Sequence, residues 1–208
     1  MTPELLIAGN LLVDDLVLES GLTRLGEPGG AVLYAALAAS LWSSRVGCLS
    51  VCGNDYPPLA VLALTGRGVD LAGVRTLAGP GVRTWLLYEA AARRMVPHLG
   101  CPSHAAVSPR PEQLPAAYGQ ARACHLAPMP LASQLELAQA LGKNPRCLLT
   151  LDPHLPIDED TLAAWRPVLA LVDAIFPAEE ELRLAGLDTD PRAALRRLAG
   201  GRLRYVVL

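Results

Sequence analysis

Short apolar runs rich in β-forming residues recur along the sequence with helix-compatible segments between them, and this alternation most limits the fold. Residues 5–8, 46–51, 123–126, 147–151, 169–176 and 203–208 read as strands. The segments 31–42, 59–64, 111–120, 131–141, 158–165, 178–184 and 191–198 read as helices. A strand that returns through a helix lies parallel to its predecessor, so the pattern predicts an α/β fold with a mostly parallel sheet covered by helices on both faces. Binding groups in such a sheet gather at the carboxyl ends of the strands.

One stretch breaks the rhythm. Between Gly68 and His98 the runs 71–77, 82–88 and 93–96 are short and β-like, joined by Gly-Pro-Gly and alanine-rich turns, which predicts a small antiparallel appendage. A second irregularity is the run 11–18, where Asp14 and Asp15 interrupt apolar residues. It is followed by the turn-forming Leu25-Gly26-Glu27-Pro28-Gly29-Gly30 and then by the small-residue helix 31–42.

Composition narrows the partners. The 208 residues carry 18 basic and 20 acidic side chains, a net charge of −2, which supplies no basic field for a nucleic-acid backbone. The amino terminus has no basic start, and the longest apolar helical segment is too short for the about 20 residues of a bilayer span. No membrane partner is expected. Five cysteines, odd in number and placed mostly in strands, fit a reduced cytoplasmic protein better than a disulfide framework.

Pro28-Gly29-Gly30-Ala31, with Tyr34 and Ala36 following, leads to the strand 46–51 and Gly53-Asn54-Asp55. This pattern resembles the first signature of the ribokinase-like (PfkB-type) carbohydrate and nucleoside kinases. Further matches, in the same order, are Gly9-Asn10-Leu11-Leu12-Val13-Asp14, Gly68-Val69-Asp70, Leu151-Asp152-Pro153 and Phe176-Pro177-Ala178-Glu179-Glu180-Glu181. The resemblance implies one ribokinase-like domain over residues 1–208, a three-layer α/β/α sandwich with a small β lid contributed by about 11–27 and 71–97. It implies transfer of the ATP γ-phosphate to a hydroxyl of a sugar, nucleoside or related polyol, with ATP and Mg2+ as cofactors.

The resemblance also suggests roles. Asp14 corresponds to the carboxylate that holds sugar hydroxyls, since an ionised aspartate accepts several O–H bonds; the plain alternative is a solvent-facing aspartate at a strand end, the role given to Asp15. Gly29 and Gly30 correspond to the pair that lets backbone approach substrate, or they are an ordinary turn entering a helix. Glu181 corresponds to the glutamate that organises magnesium, against a surface glutamate in an acidic run. Asp152, just after an apolar strand, is a secondary candidate for the nucleotide side. Arg93 and Arg94 face an anionic substrate or form a wet hairpin face.

Three departures stand out. Tyr34 occupies the place of a substrate-binding asparagine, and Ala178 replaces the asparagine that precedes Glu181. The family's later Gly-Ala-Gly-Asp segment, whose amides hold the transferring phosphate and whose aspartate takes the hydroxyl proton, has no counterpart in these residues. No catalytic residue is therefore assigned, the base being expected beyond Leu208. The domain is read as C-terminally truncated, either a kinase portion or an inactive small-molecule-binding or protein-interaction relic, and its last apolar strand calls for a homodimer or another shielding partner.

Other chemistries fit poorly. Cys101, His104, Cys124 and His125 lack the paired spacing of a closed zinc site, and neither a dinucleotide glycine turn, a Walker A loop nor a nucleophile elbow occurs.

Overall fold

The computed structural model describes residues 2–90 and 92–208. In chain order the elements are β1 (Leu5–Asn10), β2 (Leu12–Val17), β3 (Thr23–Gly29), α1 (Ala31–Ala39), β4 (Val46–Cys52), α2 (Pro58–Gly66) and β5 (Asp70–Thr76). They continue with β6 (Arg83–Glu89), β7 (Ala92–Pro97), β8 (Ala123–Leu126), α3 (Leu131–Leu141), β9 (Leu148–Leu151) and β10 (Ile157–Asp158). The last are α4 (Leu162–Leu169), β11 (Ala174–Ile175), β12 (Leu182–Arg183), α5 (Pro191–Arg196) and β13 (Tyr205–Val206).

A seven-stranded parallel sheet in the order β13-β11-β9-β8-β1-β4-β5 forms the centre. Strand periodicity divides its side chains between two cores. Leu6 and Ala8 of β1 join Leu49, Leu126, Leu149, Leu137 and Trp165 on the side of α3 and α4. Ile7, between them, points the other way and meets Val32, Cys48 and Leu64 beneath α1 and α2. The result is the expected three-layer α/β/α sandwich. No helix among the described residues is long and apolar enough to cross a membrane.

Prolines explain where the helices begin and where expected ones fail. Pro58 and Pro191 occupy first turns, and the Asp190 carboxylate accepts from the Ala193 N–H at 3.0 Å to cap α5. By contrast, Pro111 and Pro115 stand too close together for one helix, so the expected 111–120 helix becomes 3-10 turns at Pro111–Gln113 and Ala116–Gln120. The helix expected at 158–165 starts only at Leu162, because Ile157–Asp158 pairs with Leu182–Arg183 as a small separate sheet. The same pairing reduces the expected 178–184 helix to a 3-10 turn at Glu179–Glu181. The strand expected at 169–176 contracts to Ala174–Ile175, as Leu169 ends α4.

A second, four-stranded sheet, β3-β2-β6-β7, stands apart from the first. It corrects the expected appendage at both ends. The sequence pattern places residues 71–77 in it, yet Asp70–Thr76 pairs in parallel with β4 as the edge of the central sheet. Tyr118 pins that edge: its hydroxyl donates to the Asp70 carbonyl at 2.9 Å, and its ring lies where Gly73 has no Cβ. Conversely, the turn-forming residues 25–29 are strand, antiparallel to β2. Their irregularity is absorbed by a bulge opposite Asp14 and Leu16, with Gly26 at φ 70°.

Asp15 locks this smaller sheet. Expected as a solvent-facing strand-end residue, it is instead 1% exposed. It accepts from the Gly26 N–H at 2.7 Å and from Arg83 Nε and Nη2, each at 2.7 Å, while His98 Nε2 stands 2.9 Å away. His98 stacks on Trp85 at 4.8 Å between ring centroids. The Arg83 guanidinium holds the Asp15 carboxyl below its ordinary range, so this pair stabilises the fold above the usual aspartate pKa and is lost as pH falls through the lowered value. Replacing Arg83 by Ala leaves a buried carboxylate without its main partner. The expected cost is about 2–4 kcal/mol at pH 7, read from urea midpoints; a change below about 0.5 kcal/mol, the size of an ordinary surface substitution, would show that the pair does not lock the sheet.

Candidate functional site

The two sheets enclose a cleft of about 660 Å³ at the carboxyl ends of the central strands. Asn10 ends β1, Pro128 follows β8, and Pro153 and His154 follow β9 to form its floor. Its roof is the inner face of the smaller sheet. There, Glu27, Asp14 and Thr84 lie side by side across three strands, because Asp14 is in register with both of the others.

Asp14 and Asp15, adjacent in sequence, face opposite ways because strand side chains alternate. Asp15 is used up in its ion pair. Asp14 has no hydrogen-bond donor among the described residues and opens onto the cleft. Burial pushes its carboxyl up to about 6, Arg93 opposes the rise, and Asp15 adds to it. Gly29 makes this placement possible: a Cβ there would sit 2.1 Å from Asp14 Oδ2. Gly30 is constrained from the other side. Its φ is 94°, and a Cβ would lie 2.2 Å from the Asn10 carbonyl oxygen.

The remaining expected residues sit around this centre. Tyr34, 61% exposed, is at the mouth, where its hydroxyl donates to the Pro28 carbonyl at 3.0 Å. Arg93 lines the cleft, whereas Arg94 lies outside it, 3.4 Å from Glu89. Glu181 reaches the floor and accepts from the Ala178 N–H at 2.9 Å through Oε2. Asp152 is half-buried beside the floor rather than in its lining; burial first, then the neighbouring Glu181, pushes its carboxyl up to about 6.

Several cleft residues have no role in the expected site. Asn10 is 3% exposed, and its Oδ1 has no hydrogen-bond partner among the described residues. Thr84, 2% exposed, likewise has an unpaired hydroxyl. His104 and His154 approach within 5.5 Å between ring centroids, and burial lowers the pKa of both. Gln134 supports the floor from behind, donating to the carbonyls of Ala127 at 3.2 Å and Asp152 at 2.8 Å. Asn10 falls within the matched segment Gly9-Asn10-Leu11-Leu12-Val13-Asp14, in which the resemblance assigns a role to Asp14 alone.

Among the described residues no group of three or more His, Cys, Asp or Glu could hold a metal ion. Cys124 is fully buried, with its thiol pushed well up, and His125 pairs with Thr150 at 3.0 Å. A zinc reading has no support there.

A parallel sheet carrying a cleft roofed by a small second sheet, with an aspartate over a glycine pair, is the ribokinase-like fold. The fold is that of the ribokinase-like (PfkB-type) carbohydrate and nucleoside kinases, which the order of the motifs resembles. It is 28% identical over 210 residues to a cytidine kinase of Thermococcus kodakarensis, covering 99% of this chain and 72% of that protein. A fructokinase from Xylella fastidiosa, solved with bound ATP, superposes with a TM-score of 0.72 at 16% identity, over 99% of this chain and 68% of the other. An E. coli protein described as a ribokinase II, solved with ATP and Mg2+, gives 0.67 at 17% identity, over 94% and 67%. No family model matches the sequence.

The raised Asp14 pKa has a stability consequence. Between pH 4 and 6 the folded chain holds the Asp14 proton more firmly than the unfolded one, so its stability contribution falls as pH rises through that window. Asp14→Asn removes the penalty. It should stabilise the protein by about 1–2 kcal/mol at pH 7.5, after allowance for solvent screening, and by almost nothing below pH 4, measured by thermal melts across pH. Equal effects at both pH values would contradict the burial of this carboxylate.

Proposed function

We propose that these residues form the acceptor-binding portion of an ATP-dependent kinase that transfers the γ-phosphoryl group to a hydroxyl of a sugar, nucleoside or related polyol. The observation that carries the reading is the Asp14 carboxylate: half-buried, without a hydrogen-bond donor among the described residues, and seated against glycine over the carboxyl edge of a ribokinase-like sheet. A carboxylate in that position is an acceptor waiting for hydroxyl donors, and one Asp can take two from a vicinal diol. Thr84 beside it can both donate and accept. The four-stranded sheet is the lid that removes the acceptor from water, and Tyr34 narrows the entrance.

Phosphoryl transfer depends on positioning and charge stabilisation. Magnesium-bound ATP, when present, supplies the phosphoryl group and the charge that offsets its oxygens. Asp152 and Glu181 suit a water-rich magnesium ion, which takes one or two carboxylates together with phosphates, and their mutual repulsion is relieved by a cation. Asp14 holds hydroxyls in this scheme and does not take the reacting proton.

A second reading, binding without transfer, has its own support. Glu181 already accepts from its own turn, Ala178 offers no side-chain amide, and Tyr34 is tied to Pro28.

Calorimetric titration with ribose and with cytidine, followed by assay of phosphorylated product with Mg-ATP, tests both readings. Wild type should bind at least one of the two ligands. Asp14→Asn should weaken that binding by about tenfold or more, from the loss of charge-assisted hydrogen bonds. Binding with product supports the kinase; binding without product supports the second reading. Failure of wild type to bind either ligand, or an unchanged affinity in Asp14→Asn, overturns the proposed site.

A further inference from the structure

The roof of the cleft changes character along its strands. The parallel register of β2 with β6 puts Asp14 beside Thr84 and Leu16 beside Leu86, and the antiparallel register of β6 with β7 puts Met95 beside Leu86. All five line the cleft, because residues two apart on a strand share a face. The inner face is therefore ruled into rows about 7 Å apart along the strands. The first row, Asp14 and Thr84, is polar. The second, Leu16, Leu86 and Met95, runs across three strands, about 10 Å, and its side chains contain neither nitrogen nor oxygen. Tyr88, two residues beyond Leu86, continues the same face.

This second row is not sealed from water. Met95 is 50% exposed and Tyr88 39%, and Leu16 is half-buried. Apolar side chains left wet inside a concave site favour a ligand that covers them. The other end of the roof sets the direction in which such a ligand lies. Beyond the polar row the roof meets the floor at Gly30, where a Cβ would lie 2.2 Å from the Asn10 carbonyl oxygen. A molecule whose hydroxyls reach Asp14 and Thr84 is stopped by backbone on that side. It extends the other way, under Leu16, Leu86 and Met95.

We infer that Leu16, Leu86 and Met95 form a wall for a flat ring carried by the acceptor, which makes the acceptor class a nucleoside rather than a free sugar. A furanose lies beneath the polar row, and a base joined to its anomeric carbon lies beneath the next. A nucleobase is apolar on its faces and polar on its edges; aliphatic side chains and a thioether suit the face. The hydroxyls of a larger free sugar placed there would lose water without gaining a partner. The inference rests on the acceptor-binding reading of the cleft and deepens it: Asp14 and Thr84 hold the ribose, and the wall selects for the presence of a base.

Calorimetric titration of the unmodified 208-residue protein with cytidine, ribose and methyl ribofuranoside tests the wall, since the last keeps the ribose ring and carries a methoxy group in place of the base. Cytidine should bind at least about tenfold more tightly than either of the others, the size expected for covering the faces of one ring. A smaller preference overturns the wall while leaving the acceptor site standing. Met95→Ala shortens the wall on the edge strand and should reduce the cytidine preference at least about threefold; Leu16→Ser, two strands away, should do the same. A smaller reduction in either folded variant places the base elsewhere and overturns the wall. If none of the three ligands binds, both the wall and the acceptor reading fall. The comparison of ligands on the unmodified protein decides between nucleoside and sugar even if a variant does not fold.

Discussion

The crossing of two chain segments beside the cleft governs the rest of the structure. The chain leaves the central sheet through Asn10 and Leu11 and returns to it through Gly29 and Gly30, and the two passages touch. Any side chain at Gly30 would strike the Asn10 carbonyl, and any at Gly29 would strike the Asp14 carboxylate. With both positions open, the smaller sheet folds down close enough to form a roof, and α1 can begin immediately after Gly30. Tyr56 reinforces the crossing from below, its hydroxyl 3.4 Å from the Gly29 carbonyl. The roof and the floor of the cleft are thus fixed relative to each other by backbone contact rather than by a flexible linker.

Neighbouring aspartates show how position, more than residue type, assigns a task. Asp14 and Asp15 have the same chemistry and occupy successive positions of one strand. Asp15 gains a guanidinium, a backbone N–H and an imidazole, so its charge is favoured and becomes structural. Asp14 gains only burial and the weaker field of Arg93, so its charge is disfavoured by the protein alone. Groups that a fold leaves in this state are candidates for ligand contact.

Much of the architecture was legible in the sequence because the parallel strands are continuous apolar runs, and several helix starts are marked by proline or aspartate. Strands β1, β4, β8 and β9 lie where their apolar runs place them. The failures have specific causes. Local propensity could not show that Leu182 and Arg183 pair with Ile157 and Asp158, a contact across some 25 residues that exchanges helix for strand. Nor could it show that the turn-rich residues around Gly26 bulge within a strand. In the site, the glycine pair and Asp14 were visible through the resemblance of their motifs to the ribokinase-like kinases. The places of Asn10, Thr84, His104 and His154 in the cleft were not, since they come from four separate segments and come together only when the two sheets do.

The unpaired groups in this cleft also bear on its energetics. Asn10 Oδ1 and the Thr84 hydroxyl are removed from water without receiving a partner among the described residues, and Asp14 is partly desolvated. Each lowers the stability of the empty protein by leaving part of a desolvation cost uncompensated. A ligand that supplies the missing donors recovers that cost on binding, with little further ordering because the crossing at Gly29 and Gly30 already holds the roof over the floor. Filling the same positions with apolar side chains would stabilise the empty fold while removing the means of recognition. Among the described residues, two of the buried polar atoms without a partner, Asn10 Oδ1 and the Thr84 hydroxyl, belong to this one cleft, which is the physical reason to look for a ligand there apart from any resemblance in sequence.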